Sequence, residues 1–144
     1  VNEIVWLESE SNKIGRIYLP LSLWHNMKQA SCIEIQLPIA TRVNFLLQEY
    51  SYLVNNPNYL KSKLEQLKFR IGKHKLSQWY YLIDRKRWKE FVKELLLHHY
   101  DLTYFQSMQH NFTNVEMVLS IADLSNDSIN QASGALMSKC IKIA

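Results

Sequence analysis

The sequence predicts an α/β fold, in which a parallel sheet with helices is interrupted by a helical insertion. Short apolar, β-branched runs alternate with segments of helical periodicity over residues 1–54, as in strand–helix–strand–helix units. Helical patterns alone then occupy residues 55–112. We therefore expect a single domain over 1–144, in which 1–54 is the α/β core, 55–112 a basic helical insertion and 113–144 a terminal strand and helix.

The first section contains the strands and helices that we expect to form the sheet core. EIVWL at 3–7 is apolar without alternation, as in a strand buried on both faces, and RIYLP at 16–20 is a short extended segment. A helix at 21–29 and a strand at 32–37 follow. From 41 to 54 apolar residues recur at three- and four-residue steps, which predicts an amphipathic helix. Because each strand returns through a helix, parallel strands are expected.

The second section predicts three helices. The first follows the NNP break at 55–57 and ends at Gly72, a residue type common at helix C-caps. A second begins near Ser77, and a third runs from about 85 to 99. One apolar face of the first helix is formed by Leu60, Leu64, Leu67 and Ile71.

The third section predicts one strand and one helix. Residues 115–122 return to strand character, and a helix at 127–142 has Asn126 or Asp127 as its N-cap. Cys32 and Cys140 are far apart and form no CxxC pair, so we expect reduced thiols rather than zinc ligands or a disulfide.

Composition narrows the class of protein. Nearly half of the 144 residues are apolar and about a fifth are charged, as in ordinary globular domains. No run approaches the ~18 apolar residues of a membrane helix, and no signal-peptide pattern is present, so we expect a cytoplasmic protein without membrane contact. Because a strand pattern begins almost at Val1, we expect a segment excised from a longer chain.

The positive charge is concentrated in the middle of the chain. Residues 61–94 contain eleven Lys or Arg and four acids, a net +7, whereas residues 1–60 carry −1 and residues 95–144 carry −2. Such asymmetry indicates a polyanionic partner. Aromatic residues alternate with these cations and either stack on unpaired bases or pack in the core; they are Trp79, Tyr80, Tyr81 and Trp88.

A charged cluster follows the first predicted strand. If the strand continues, Glu8 and Glu10 project to the same side of it. In nucleotide-binding sheets, acids that follow a buried strand hold Mg²⁺. Alternatively, the two acids only solvate a loop. The cations Lys13 and Arg16 either bind phosphate or pair with these acids, and Gly15 between them lets the backbone approach a ligand. Arg42 is unfavourable in the first turn of its helix, which indicates an anionic partner or a surface salt bridge. No GxxxxGK[ST] loop is present.

Several segments in order resemble bacterial tRNA 2-selenouridine synthase. They are VWLESESNKIGRIYLP, Met27, Arg42 with LLQEY at 46–50, LKFRIGKHK and LLLHHYDLTY. The resemblance implies a partial P-loop-NTPase-like sheet that lacks its Walker A loop, with that loop and a rhodanese-like domain lying upstream. It also implies conversion of wobble 2-thiouridine to 2-selenouridine through a geranylated intermediate. Selenophosphate and geranyl diphosphate are the implied co-substrates, Mg²⁺ an expected cofactor, and the tRNA anticodon arm the partner.

The resemblance also implies roles for individual residues. Glu8 and Glu10 are expected to be catalytic, and no residue is expected to be a dedicated metal ligand. The expected substrate-binding residues are Lys13, Gly15, Arg16, Arg42 and Arg70. The expected tRNA-binding residues are Lys68, Lys73, His74, Lys75, Arg85, Lys86 and Arg87.

Without the upstream elements, these 144 residues are expected to be inactive alone. Two alternatives to the synthase remain open. The chain is either a non-catalytic RNA-binding module or part of a P-loop kinase.

Overall fold

The computed structural model describes the backbone of residues 5–143 and the side chains of residues 5–138. The chain divides into two units. The sheet unit comprises Val1–Leu37 and Tyr104–Ala144, and the helical unit comprises Pro38–Thr103. Among the described residues, no helix is both long enough and apolar enough to cross a membrane.

The sheet unit confirms the α/β class. Strand β3 (Cys32–Gln36) pairs in parallel with β4 (Val115–Ser120), with a register shift between Cys32 and Ile33. A parallel pair needs a long crossover, and here the whole helical unit lies between the two strands in sequence. Helix α1 (Leu21–Gln29) was predicted at these residues.

The two extended segments predicted within residues 3–20 have different outcomes, because the buried strand at 3–7 is wrong over its described residues whereas the extended segment at 16–20 is confirmed. Residues 3 and 4 lie outside the described residues, and Val5–Leu7 are exposed and form no strand. No described strand pairs with them, and a buried parallel strand needs hydrogen-bonded neighbours. The extended segment at 16–20 contains the second arm of a hairpin, in which β1 (Lys13–Ile14) pairs with β2 (Ile17–Tyr18). Gly15 has φ +61° at the first position of the two-residue turn, as in type II′ turns.

The helical unit is built from short helices around one apolar core. They are α2 (Ile39–Glu49), α3 (Ser51–Val54), α4 (Pro57–Glu65), α5 (Lys68–Ile71), α6 (Lys73–Asp84) and α7 (Trp88–Leu95). Trp79 is 0% exposed and packs edge-on against Phe91, with 6.1 Å between ring centroids. The predicted apolar face is confirmed, because Leu60 and Leu64 are buried and Leu67 and Ile71 pack against the same core.

Helix boundaries differ from those predicted at several places. The predicted helix 41–54 breaks at Tyr50, where φ is −102° and ψ is 30°. The first insertion helix is interrupted between α4 and α5, and α6 begins at Lys73 rather than near Ser77. Helix α7 begins at Trp88 rather than 85, and it does not end at 99. A π-helical turn (Leu96–Tyr100) carries it into α8 (Asp101–Asn111).

The last helix, α9 (Asn126–Ile143), is capped by a residue other than those predicted. Ser125 precedes it, and the Ser125 hydroxyl accepts a hydrogen bond from the backbone N–H of Ser128 at 3.3 Å. This is the N3 contact of an N-cap serine. Asn126 and Asp127 therefore lie in the first turn rather than at the cap.

Candidate functional site

Three carboxylates lie within electrostatic reach of the Tyr104 hydroxyl in the sheet unit. Burial raises the pKa of this phenol, and the charges of Glu10, Glu8 and Glu34 raise it further. Glu8 and Glu10 are exposed, whereas Glu34 on β3 and Tyr104 on α8 are partly buried. A phenol in these surroundings stays protonated at neutral pH and can donate a hydrogen bond. Sequence reasoning missed Glu34 and Tyr104, although Tyr104 ends the HYDLTY motif.

The segment from Glu8 to Tyr18 is organised by local contacts. The Glu8 carboxylate accepts a hydrogen bond from the backbone N–H of Glu10, so the two acids are not arranged as alternating strand residues. The Lys13 ammonium lies 5.4 Å from the ring centroid of Tyr18. Gly15 and Arg16 form the exposed turn of the hairpin. The predicted catalytic and substrate-binding roles of these residues stay predictions.

Arg42 forms a salt bridge within the chain, which is one of the two readings that its position in the helix left open. Its two terminal nitrogens donate to the Asp101 carboxylate at 3.1 and 2.5 Å. The two side chains are 28% and 17% exposed, so the pair is largely shielded from water. The hydrogen bond to Asp101 raises the pKa of Arg42. The guanidinium fork therefore holds the start of α8 to α2, and substrate contact by Arg42 stays a prediction.

The predicted tRNA-binding cations fall into two groups. Three of them pair with carboxylates of the same unit: Lys68 with Glu65, Lys75 with Glu94 and Arg87 with Glu90. Among the described residues, no acid lies within salt-bridge distance of the others, which are Lys73, His74, Arg85 and Lys86.

The second group, which has no carboxylate partner among the described residues, lies at the surface. All four of its side chains are exposed. The Arg85 guanidinium lies 5.5 Å from the ring centroid of Tyr81, and Lys86 has a left-handed backbone with φ +55°. A non-glycine residue in this conformation costs about 1–3 kcal/mol, and such strain is common at functional sites. These four side chains are therefore available to a polyanion.

Arg70 has a different setting from the other predicted substrate-binding residues. It is exposed on α5, and its positive charge contributes to lowering the pKa of His99, after the larger effect of burial. His98, next in sequence to His99, pairs with Glu94 at 3.4 Å when it is protonated. Arg70 therefore belongs with the exposed cations of the helical unit.

The aromatic side chains of the basic segment differ in exposure. Trp79 is buried in the core, and Tyr80 donates a hydrogen bond to Glu65 at 2.9 Å. Contacts within the helical unit therefore account for the positions of both rings. Tyr81 is 54% exposed. Phe69 is 99% exposed, which forgoes the roughly 1.5–3 kcal/mol that burial of such a side chain gives. Phe69 was not singled out from the sequence, although Leu67 and Ile71 facing the core leave it no inward direction.

A cavity of about 250 Å³ lies where β4 ends and α9 begins. Its polar lining comes from Ser120, Ser128 and Gln131, and none of the predicted site residues lines it. The carboxyl end of a parallel strand is where open α/β sheets bind ligands. Nearby, hydrogen bonds from Ser125 and Ser128 lower the pKa of Asp123 to about 2.

The part of the chain that the structure describes contains no cluster of side chains suited to bind a metal ion. Within it, no group of three or more His, Cys, Asp or Glu side chains is arranged to hold a metal ion. The expected role of Mg²⁺ stays a prediction.

Comparison with known proteins gives a family relationship. Residues 1–131 match the sequence profile of the family described as tRNA 2-selenouridine synthase AAA domain. A tRNA 2-selenouridine synthase of Nitrosomonas europaea is 36% identical over 50 residues. That alignment covers 35% of this chain and 13% of the Nitrosomonas protein. No solved structure matches significantly.

Proposed function

Because this chain belongs to the tRNA 2-selenouridine synthase AAA-domain family, we propose that it supplies the tRNA-binding surface of a tRNA-modifying enzyme. The complete enzyme converts wobble 2-thiouridine to 2-selenouridine through a geranylated intermediate, with selenophosphate and geranyl diphosphate as co-substrates. The Walker A loop and the rhodanese-like domain belong to other parts of that enzyme. A cytoplasmic location is part of the proposal.

One observation carries this proposal, the charge of the helical unit. Residues 38–103 contain twelve Lys or Arg and six acids, a net +6, whereas the remaining residues carry −2. Lys73, Arg85 and Lys86 are exposed and have no carboxylate partner among the described residues. Each phosphate neutralised by such a cation releases counterions, which favours binding of RNA. We assign the anticodon arm to this surface because the proposed reaction takes place on the wobble base.

The hairpin segment is proposed to contact the anionic co-substrates. Lys13 and Arg16 supply positive charge, and the turn at Gly15 exposes backbone to an approaching ligand. Glu8 and Glu10 are proposed to act on substrate beside the protonated Tyr104 hydroxyl. The exposure of Arg70 supports a contact with substrate phosphate.

The proposal is tested in a strain that lacks the gene and is complemented with variants of the full-length protein. Mass spectrometry of nucleosides from purified tRNA then measures 2-selenouridine. We expect the triple variant Lys73→Ala, Arg85→Ala, Lys86→Ala to reduce 2-selenouridine while the protein remains folded.

The control variant is Lys28→Ala, which removes a partly exposed cation of the sheet unit and is expected to leave the modification unchanged. Normal modification by the triple variant would contradict the assignment of the surface. Normal modification by Glu8→Gln and Glu10→Gln would contradict their catalytic role.

If the wild type binds tRNA but makes no 2-selenouridine, it is an RNA-binding module. If it hydrolyses nucleotide and phosphorylates a small molecule without tRNA, it is a kinase.

A further inference from the structure

Phe69 is the most exposed large apolar side chain among the described residues, and its outward direction is fixed by its neighbours. Leu67 and Ile71 both pack against the core of the helical unit. In a helix, successive residues are about 100° apart, so Phe69 lies about 200° from each of them and points away from the core. The turn is closed by the Gly72 N–H, which donates to the Lys68 carbonyl at 2.9 Å. The ring is therefore held outward by two partly buried neighbours that pack against the core.

The charged residues between positions 66 and 83, the stretch that contains Phe69, are all basic. Lys68 and Arg70 flank it, Lys73 and His74 follow across Gly72, and no Asp or Glu occurs from residue 66 to residue 83. Lys68 is already paired with Glu65, whereas Arg70 and Lys73 are exposed. Four residues span at most about 14 Å, so Lys73 lies within that distance of Phe69 along the backbone. The patch thus offers one flat apolar ring and two available cations.

This combination fits one class of partner better than others. An apolar protein surface would cover the ring but would leave the cations without partners. Nucleic acid with unpaired bases supplies both a flat apolar face for the ring and phosphates for the cations. Phenylalanine has no hydrogen-bonding group, so its contact discriminates unpaired from paired bases rather than one base from another.

We propose that Phe69 stacks on an unpaired base of the bound RNA while Arg70 and Lys73 contact the adjoining phosphates. The inference rests on the proposed function and adds a stacking residue that selects single-stranded loop over duplex. In a tRNA arm, the bases available to such a ring are those of the loop.

The test measures binding of the full-length protein to a tRNA anticodon stem–loop and to a duplex with the same stem but no loop. Fluorescence anisotropy is recorded between about 50 and 200 mM salt for the wild type, Phe69→Ala, Phe69→Leu and Phe69→Trp. Phe45→Ala is the matched control, because Phe45 is an exposed phenylalanine of the same unit outside the basic segment.

We expect Phe69→Ala and Phe69→Leu to weaken stem–loop binding about tenfold, with no change in the salt slope. Phe69→Trp should bind as well as the wild type, and Phe45→Ala should behave as the wild type. Duplex binding should be the same for all variants. Unchanged thermal unfolding of the Phe69 variants verifies that the fold is intact.

The outcomes separate this inference from the proposed function. A wild type that binds neither RNA contradicts the proposed function itself. A wild type that binds the stem–loop, with Phe69→Ala binding equally well, contradicts only the stacking inference. Full affinity of Phe69→Leu would show an apolar contact without stacking and would also overturn it. Binding of phosphatidylserine-containing vesicles that Phe69→Ala abolishes, with RNA binding intact, would assign Phe69 to a membrane surface instead.

Discussion

Replacing Arg42 with alanine should destabilise the helical unit by about 2–3 kcal/mol. The guanidinium makes two hydrogen bonds to Asp101, at 3.1 and 2.5 Å, and the two side chains are only 28% and 17% exposed. Removing the cation leaves the Asp101 carboxylate largely shielded from water without its counter-charge, and an unpaired charge in such a place is costly. The loss should therefore exceed the value of an ordinary surface ion pair.

Urea unfolding followed by circular dichroism measures this loss as a fall in the midpoint with an unchanged slope. A double-mutant cycle with Asp101→Asn should give a coupling energy of about 1–2 kcal/mol. Arg42→Lys should recover only part of the stability, because an ammonium cannot reproduce the two-pronged contact.

The matched control is Arg87→Ala, since Arg87 pairs with Glu90 at an exposed position. It should cost clearly less than Arg42→Ala. Equal losses for the two variants, or a coupling energy near zero between Arg42 and Asp101, would refute the structural role of the pair. Arg42 would then be available for the substrate contact that the sequence predicted.

Two further predictions concern the same unit. Lys86→Gly should raise the free energy of unfolding by about 0.5–1 kcal/mol, because glycine adopts the left-handed backbone at φ +55° without strain. The affinity for RNA should fall, because the variant loses a cation. Reduced stability in urea unfolding would contradict this prediction. The pKa of His99 should lie below its ordinary value because of burial and, to a smaller extent, Arg70. Its contribution to stability is then present above about pH 6.5 and is lost as the pH falls through that value towards the folded-state pKa. NMR titration should show the pKa rising part of the way in Arg70→Gln, and an unshifted His99 in the wild type would contradict the prediction.

Periodicity predicted the elements whose burial depends on local pattern. The parallel relation of β3 and β4 followed from the strand–helix order, and the apolar face carrying Leu60 and Leu64 followed from their spacing. These predictions succeeded because a helix or strand must direct its apolar positions to one side whatever lies around it. By contrast, Val5–Leu7 read as a buried strand and are exposed, because strand formation depends on partners that the pattern does not contain.

The candidate site was predictable only in part for the same reason. The basic segment was visible from charge alone, but the sequence does not show which cations are already paired. The contact between Arg42 and Asp101 joins residues 59 positions apart and needs three-dimensional information. The sequence likewise did not show which aromatic side chains are exposed. Among the described residues, Trp79 is the most buried ring and Phe69 the most exposed. The clue for Phe69 was its position midway between two inward-facing apolar residues.

The most direct test of the central claim is the salt dependence of binding to the tRNA anticodon arm. Two triple alanine variants remove equal charge: one at Lys73, Arg85 and Lys86, which have no described carboxylate partner, and one at Lys68, Lys75 and Arg87, which are ion-paired. A basic surface that binds RNA predicts that the first variant lowers the slope of log K against log salt by about 2–3, and the second by less. Slopes equal to that of the wild type in both variants would contradict the claim that this surface binds tRNA.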